Sequence, residues 1–284
     1  MAERSFTPPG SDRAPVTIDS TVAHTSRVYD YLLGGTDNFA VDREVAEHAF
    51  AAYPGGTDGA RSDARANRGF LGRSVRWLAG EAGVRQFLDI GTGIPTGDNT
   101  HAVAQTAAPG ARVVYVDNDP IVLAHAHALL RTATEGTTAF VEGDVRTPER
   151  ILAAASATLD LGEPVALVLI GLLHVITDDD RPHQVVRALL DGLPPGSYLA
   201  LSHMTDDIQP EKMGVVHERL NRTMGTTNPP AFRSRADVAR FFDGLELVEP
   251  GVVHLDEWRP DEHVPAANGH GRISPIYCAV GRKV

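Results

Sequence analysis

From Arg85 onwards, short runs rich in β-branched and aromatic residues alternate with longer segments of helical character. The runs are QFLDI, RVVYVD, TAFVEGD and PVALVLIG, and about 20 to 25 residues separate one from the next, as in strands joined through helices. A fifth run, GSYLALSH, continues the series, and LELVEPGVV and SPIYCAV suit a terminal antiparallel pair. The sequence therefore predicts an α/β fold with a doubly wound, mostly parallel sheet.

The rest of the chain divides by composition. Residues 1–18 are rich in Pro, Ser and Gly and predict a disordered tail. Residues 19–84 predict an N-terminal helical cover, and residues 85–284 form the α/β core. Within the core, the polar, proline-containing residues 204–230 are long for a connection and are a candidate substrate lid.

Two helices are expected in the cover. The first spans residues 19–33, with Asp19 or Ser20 as its N-cap and Gly34 in the left-handed position that ends many helices. The second spans residues 59–79, where apolar residues recur at three- and four-residue spacing.

Composition limits the class of partner and the compartment. The formal net charge is -11 and no long basic cluster occurs, which argues against nucleic acid as a partner. One cysteine, Cys278, is expected in the core, and the polar N-terminus does not resemble a secretion signal. The apolar run from Val165 to Ile176 is too short to span a bilayer. We therefore expect a cytoplasmic protein that binds no membrane.

A glycine turn follows the first strand of the core, in FLDIGTGIPT. Gly91 and Gly93, with Thr92 between them, let the backbone approach a ligand closely. Asp117 ends the second strand, where a carboxylate can accept hydrogen bonds from both hydroxyls of a ribose. The turn and the acid together indicate a ligand that contains adenosine.

Two such ligands are considered, S-adenosyl-L-methionine and, as a weaker alternative, NAD. Asp89 directly precedes the turn, where it would repel a pyrophosphate by about 4 kcal/mol at a separation of about 4 Å and a dielectric constant of about 20. It would attract the ammonium group of a methionine. The third glycine of the dinucleotide motif is also replaced by Thr96. Both observations favour S-adenosyl-L-methionine.

The next strand ends complete the predicted site. Asp144 is expected to accept a hydrogen bond from the adenine amino group, the backbone of Val145 to donate to the ring, and Asn118 to border it. Gly171 and His174 follow the fourth strand, near the expected methyl group. His174 is a weak candidate for a general base, since a hydrogen-bonded structural role is the alternative for it and for His203.

No metal site is expected. His125 and His127 are two residues apart and point to different sides of a helix. The three consecutive acids Asp178, Asp179 and Asp180 precede a helix and favour capping over metal binding.

The segment RVYDYLLGGTDNF, Arg27–Phe39, is expected to cover the methyl end of the cofactor. Gly35 would let the backbone approach the cofactor, and Tyr29, Tyr31 and Asn38 would offer polar groups on an aromatic wall. Tyr31 and Gly35 are therefore included among the cofactor-binding candidates. The alternative is a capped helix packed on the core.

From about Thr21 to Lys283 the chain resembles an actinobacterial family of S-adenosylmethionine-dependent methyltransferases formerly classed as a domain of unknown function. The likeness lies in RVYDYLLGGTDNF, RANRGFL, QFLDIGTGIPT, PVALVLIGLLHVI and PGSYLALSH. It implies a class I, Rossmann-like methyltransferase fold with seven strands, the last pair antiparallel. Thr36 departs from the family pattern, which has Lys after the Gly-Gly pair, and this puts a role for a cation there in doubt.

The functional prediction is methyl transfer from S-adenosyl-L-methionine to a small-molecule acceptor. The alternative is a sensor that binds the cofactor without transferring its methyl group, because cofactor motifs report binding and not turnover.

Overall fold

The computed structural model describes residues 3–6, 16–95, 99–122, 137–224, 230–260 and 272–284. Within these ranges the core is an eight-stranded sheet. Its strands are β3 (Gln86–Ile90), β4 (Arg112–Asp117), β5 (Thr137–Glu142), β6 (Ala166–Ile170), β7 (Tyr198–Met204), β8 (Leu245–Leu247), β9 (Val253–His254) and β10 (Ile276–Lys283).

The strand order is β5-β4-β3-β6-β7-β10-β8, and β9 pairs with β10 beside this path. Strands β3 to β7 are parallel, whereas β10 is antiparallel to both β7 and β8. The predicted doubly wound sheet with an antiparallel terminal pair is confirmed. The two-residue β9 adds a strand to the seven that were expected.

The helices cover both faces of the sheet. They are α1 (Thr25–Leu33), α2 (Ala40–Phe50), α3 (Gly56–Gly80), α4 (Thr100–Ala107), α5 (Pro148–Ala155), α6 (Pro182–Asp191), α7 (Pro210–Met224) and α8 (Arg235–Ala239). A further helix begins at Pro120 as its sequence indicates, but most of it lies outside the described residues. Within the described ranges, no helix combines the length and apolar character needed to cross a membrane.

Successive side chains of each strand point to opposite faces of the sheet, and this divides the core into two clusters. Phe87 and Val113 join the cluster under α1 to α4 and α7. Leu88 and Val114, their neighbours in sequence, join the cluster under α5, α6 and α8. Since successive strand residues face opposite sides, each parallel strand is buried by helices on both faces.

The N-terminal region differs from its prediction. Helix α1 begins at Thr25, because the His24 side chain accepts a hydrogen bond from the Ser26 backbone N–H and caps the helix there. Neither Asp19 nor Ser20 is the N-cap, although Gly34 ends the helix in the left-handed conformation as expected, with φ of 86°. Helix α2 was not predicted.

Residues 1–18 were assigned no regular structure. In the structure β1 (Glu3–Phe6) and β2 (Val16–Asp19) pair as antiparallel strands. Composition does not reveal such backbone pairing between separate segments, so this part of the prediction missed it.

The candidate lid, residues 204–230, contains helix α7. Met213 and Val216 are fully buried, and Arg219 donates a hydrogen bond of 2.7 Å from its Nη1 to the backbone oxygen of His48, which lies on α2. Helix α7 is therefore amphipathic and packs against the N-terminal helices. Its role as a substrate lid stays a prediction.

A buried ion pair joins α1 to α2. The Arg27 Nε and the Asp42 carboxylate are 3.1 Å apart, and both side chains are almost fully enclosed. Asp42 also accepts hydrogen bonds from the backbone N–H groups of His24 and Phe39. One carboxylate thereby fixes the start of both helices.

Removing the cation of this pair is expected to destabilise the protein. In Arg27→Met the Asp42 carboxylate would stay buried without its counter-charge, which costs about 3–5 kcal/mol in other proteins. Urea unfolding followed by circular dichroism measures the change. The double variant Arg27→Met/Asp42→Asn removes the charge but keeps a carbonyl acceptor, so it should recover part of the loss. A loss below about 1 kcal/mol in the single variant, the size of an exposed pair, would contradict this account.

Candidate functional site

A cavity of about 210 Å³ lies at the carboxyl ends of the parallel strands and is closed by α1, α3 and α7. Ten of the twelve residues predicted for the site line it. They are Asp89, Gly91, Thr92, Gly93, Asp117, Asn118, Asp144, Val145, Gly171 and His174. The strand ends thus bring together residues spread over 86 positions of sequence, as expected for the switch region of an open α/β sheet.

The glycine turn is held against its neighbours on both sides. Gly91 has φ of 73°, where other residues are strained, and a Cβ atom there would lie 2.6 Å from the Leu172 side chain, which would have to move. Gly93 has φ of 65° and donates its N–H to the Asp117 carboxylate at 3.0 Å. The turn and the end of β4 therefore form one rigid surface.

Asp117 is buried at the end of β4. One carboxylate oxygen accepts the Gly93 N–H and the other accepts the Asp119 N–H at 2.9 Å. Burial raises the pKa of Asp117, and these two hydrogen bonds act in the opposite direction. Since each oxygen can accept a second bond, the group is oriented to receive two further donors.

Asp89 is the most perturbed acid of the site. Its side chain accepts a hydrogen bond of 2.5 Å from the Thr100 hydroxyl. Burial raises the pKa of Asp89 to about 6, and the Thr100 hydrogen bond and the charge of Arg68 only partly offset this. The site therefore holds a costly negative charge that a cationic ligand would stabilise.

Asp119 attaches helix α1 to the core. Its carboxylate accepts a short hydrogen bond from the Ser26 hydroxyl and lies 2.9 Å from the His24 Nδ1. These contacts lower the pKa of Asp119 against the effect of burial. No local sequence pattern reveals this attachment, because the pairing joins positions 93 residues apart.

Asp144 is engaged by Arg146. The Arg146 Nη1 lies 3.2 Å from the Asp144 carboxylate, and the Arg146 Nε lies 3.1 Å from Asp180. The Asn118 side chain donates to Asp144 at 3.4 Å. A ligand that uses Asp144 must therefore share it with the Arg146 guanidinium.

A chain of hydrogen bonds crosses the cavity from β6 to α1. The Gly171 N–H donates to the Ser202 hydroxyl at 2.9 Å, and this hydroxyl donates to the Asn67 amide oxygen at 2.7 Å. The Asn67 amide nitrogen then donates to the Tyr29 hydroxyl at 3.1 Å, which donates to the Ala64 carbonyl at 3.0 Å. Ser202 and Asn67 were not predicted, although Asn67 lies in the quoted RANRGFL motif.

The two histidines near β6 and β7 differ in their partners. The His203 ring is 2.7 Å from the Met204 carbonyl through Nδ1 and 2.8 Å from the Arg233 Nη1 through Nε2. Burial is the main cause that lowers the pKa of His203 well below its ordinary value. His203 is thus neutral and has the hydrogen-bonded structural role that was the alternative to a general base.

His174 lines the cavity, and burial lowers its pKa to about 4, with a contribution from the charge of Arg233. Its Nδ1 is among the buried polar atoms without a hydrogen-bond partner in the described part of the chain. It is therefore neutral at pH 7 and can accept a proton or a hydrogen bond.

Two predicted residues, Tyr31 and Gly35, do not line the cavity, and their assignment is corrected. The Tyr31 hydroxyl donates to Glu47 at 2.6 Å and accepts from Arg61 at 2.8 Å. A Cβ atom at Gly35 would lie 1.9 Å from the Asp30 carboxylate, so this glycine makes room for a structural acid. Tyr29, two residues before Tyr31, faces the cavity instead.

The acids at 178–180 form a short 3₁₀ helix before α6. Asp178 lies 2.6 Å from the Arg233 guanidinium, and Asp180 pairs with Arg146. No group of three or more potential metal ligands occurs in the ranges the structure covers. His125 and His127 lie outside the described residues.

The chain is similar to a known family and to solved structures. A family model described as S-adenosyl methyltransferase matches residues 11–284. A DUF574-family protein of Streptomyces avermitilis is 43% identical with a TM-score of 0.85, and the match covers 94% of this chain and 99% of that one. No curated protein matches the chain significantly in sequence.

Two further structures are similar. A putative methyltransferase of Thermobifida fusca is 40% identical with a TM-score of 0.81, and the match covers 92% of this chain and 95% of that one. The magnesium protoporphyrin IX methyltransferase of Synechocystis, solved with bound S-adenosylhomocysteine, is 13% identical. Its TM-score is 0.50, and the match covers 90% of this chain and 93% of that one. This last likeness concerns the fold alone.

The buried charge of Asp89 is expected to reduce stability. Because the pKa rises from 3.8 to about 6 on folding, ionisation costs more in the folded state. The penalty is absent below pH 3.8 and complete above pH 6, where it is on the order of 2–3 kcal/mol. Asp89→Asn should therefore raise the melting temperature of the ligand-free protein at pH 7.5 but hardly at pH 4.

Differential scanning fluorimetry at several pH values measures this difference. Asp191→Asn makes the same chemical change at an exposed position of α6 and should shift the melting temperature little at any pH. An Asp89→Asn effect independent of pH would contradict the assignment.

Proposed function

Because this chain belongs to the S-adenosyl methyltransferase family, we propose that it transfers the methyl group of S-adenosyl-L-methionine to a small-molecule acceptor. Family membership confirms the resemblance noted from the sequence, and the cofactor is S-adenosyl-L-methionine. The observation that carries the proposal is a single cavity that runs from the acids at the strand ends to apolar side chains of the N-terminal helices.

The residues fit the amino-acid end of this cofactor. Asp89 is a buried carboxylate with a raised pKa, and an ammonium group beside it would restore the balance of charge. Gly91 and Gly93 of the turn present backbone without side chains to the cavity close to Asp89. We therefore assign Asp89 and the turn, including Thr92, to the methionine portion.

The next two strand ends suit the adenosine. Asp117 keeps two acceptor positions after its backbone hydrogen bonds, which matches the two ribose hydroxyls. Asp144 and Asn118 are polar neighbours at the edge of the cavity, and Val145 is buried there. We assign them to the adenine, with Asp144 exchanging part of its contact with Arg146 for the amino group.

Bound S-adenosyl-L-methionine supplies a methyl group that is already activated by its sulfonium. The chain then has to align the acceptor with this methyl and exclude water, which can account for much of a rate enhancement. Gly171, fixed through Ser202 and Asn67, and the rigid turn at Gly91 are placed for alignment. His174, neutral at pH 7, is placed to take up a proton from the acceptor.

A sensor that binds the cofactor without turnover would need no space for an acceptor beside the methyl group. The cavity instead continues from Gly91 and Gly171 to Phe50 and Leu220 on the helices. This continuity supports transfer over binding alone.

Loss of the ribose acid is expected to weaken cofactor binding. Asp117→Ala removes the acceptor of two ribose hydrogen bonds and the anchor of the Gly93 N–H. We expect at least a tenfold weaker affinity for S-adenosylhomocysteine, about 1.4 kcal/mol or more, by isothermal titration calorimetry. Asp191→Ala, an exposed acid on α6, should bind as the unaltered protein does. Unchanged affinity in a folded Asp117→Ala protein would show that Asp117 does not bind the ribose.

The transfer itself can be tested without knowing the acceptor. The protein is incubated with a cell metabolite extract and S-adenosyl-L-methionine carrying a deuterated methyl group, and the products are analysed by mass spectrometry. We expect at least one small molecule to gain the labelled methyl, and much less of it to form with the Asp117→Ala variant at the same cofactor concentration. Tight binding of S-adenosylhomocysteine with no labelled product would favour the sensor.

A further inference from the structure

The cavity has two chemically different parts. One contains the acids at the ends of β3, β4 and β5. The other, here called the apolar compartment, is formed by α1, α2, α3 and α7 and is lined by Val28, Leu32, Phe50, Ala60, Leu220 and Met224. Five of these six side chains are no more than 7% exposed, and Leu220 is 9% exposed. An apolar molecule would therefore gain from entering the compartment.

The polar groups next to the apolar compartment bind one another. The Tyr53 hydroxyl donates to Asp63 at 2.8 Å, and Arg272 donates to the same carboxylate at 2.7 Å. The Asn67 amide nitrogen donates a hydrogen bond to the Tyr29 hydroxyl. The buried acid thus has its own cation, and in the described part of this wall the charge of Asp63 is compensated.

His174 stands where the two parts meet. It follows β6, which lies beside β3 in the sheet, and its Cε1 is 3.8 Å from the position of a Cβ on Gly171. The Nδ1 atom is enclosed and has no partner among the described residues. With the ring proton on Nε2, Nδ1 is an acceptor whose burial costs free energy, and a turn of the ring toward the cavity would let a ligand donor satisfy it. A hydroxyl group on an otherwise apolar molecule would supply one.

We propose that the methyl acceptor is an uncharged, mainly apolar molecule with a hydroxyl group, whose body fills the apolar compartment and whose hydroxyl donates to the His174 Nδ1. This rests on the proposed function and names the substrate class of the same site. A carboxylate or an ammonium group would lose its hydration in the compartment without finding a free counter-charge there. Charged acceptors are therefore disfavoured.

The proposed reaction is methylation of the hydroxyl oxygen, with His174 as the base. The hydroxyl oxygen forms a bond to the methyl carbon while the carbon–sulfur bond breaks, and the bonding pair stays on the sulfur. The hydroxyl proton passes to the His174 Nδ1, which becomes an imidazolium. A hydroxyl oxygen becomes strongly acidic as it is alkylated, so a base with a pKa of about 4 can take the proton during bond formation. The product is a methyl ether.

Four probes that share the ethylphenyl body test the class of acceptor: 4-ethylphenol, ethylbenzene, 4-ethylbenzoate and 4-ethylbenzylammonium. Their affinities are measured by ligand-observed NMR on protein saturated with S-adenosylhomocysteine. We expect 4-ethylphenol to bind at least tenfold more tightly than either ion and several-fold more tightly than ethylbenzene. Equal or tighter binding of an ion, or no binding of the phenol at millimolar concentration, would overturn the proposal.

Two variants locate the probe. Ala60→Leu places a larger side chain in the apolar compartment. It should weaken the binding of 4-ethylphenol at least tenfold without changing the affinity for S-adenosylhomocysteine. Arg65→Leu, at an exposed position of the same helix, is the matched control and should change neither. Unchanged phenol binding in Ala60→Leu would place the probe elsewhere and overturn the proposal.

His174→Leu separates the hydroxyl contact from packing. It should abolish the preference for 4-ethylphenol over ethylbenzene while ethylbenzene still binds, and a preserved preference would exclude His174 as the acceptor of the hydroxyl. Failure of the unaltered protein to bind S-adenosylhomocysteine would instead contradict the proposed function. The two failures are thus distinguishable.

Discussion

The Asp119 carboxylate is the point at which the two parts of the molecule are joined. It lies just beyond β4, and Ser26 and His24 at the start of α1 both contact it. A strand-end acid thereby fixes the position of the first helix, and the Arg27–Asp42 pair carries that position on to α2. The cavity exists because helices are held across strand ends that would otherwise face solvent.

The buried carboxylates around this junction are stabilised in different ways. Asp42 and Asp63 lie beside arginines, and Asp119 lies beside a histidine and a hydroxyl. Asp89 and Asp117 instead accept hydrogen bonds from neutral donors and have raised pKa values. Burying charge in this way is costly, so it marks these two acids as the ones that a ligand completes.

The sequence was most informative where a local pattern decides the structure. Strand runs and the acids that follow them predicted the sheet and ten cavity residues, because parallel strands end at one edge. The prediction for Tyr31 was wrong because Tyr29 and Tyr31, two residues apart on a helix, face different directions. The sequence does not say which of the two faces the cavity. Ser202, Asn67 and Asp119 act through long-range hydrogen bonds that no local pattern encodes. Helix α2 was missed although Val41, Val45 and Ala49 recur at a spacing of four residues.

Helix α1 contributes to both parts of the cavity. Its start, with Ser26, lies beside the strand-end acids, and Leu32 near its end lines the apolar compartment. Nine residues of helix form a rigid rod about 13 Å long, so a displacement at one end is transmitted to the other. A shift of α1 on filling one part of the cavity would therefore alter the other part, and the effect of each occupant on the affinity for the other would be equal.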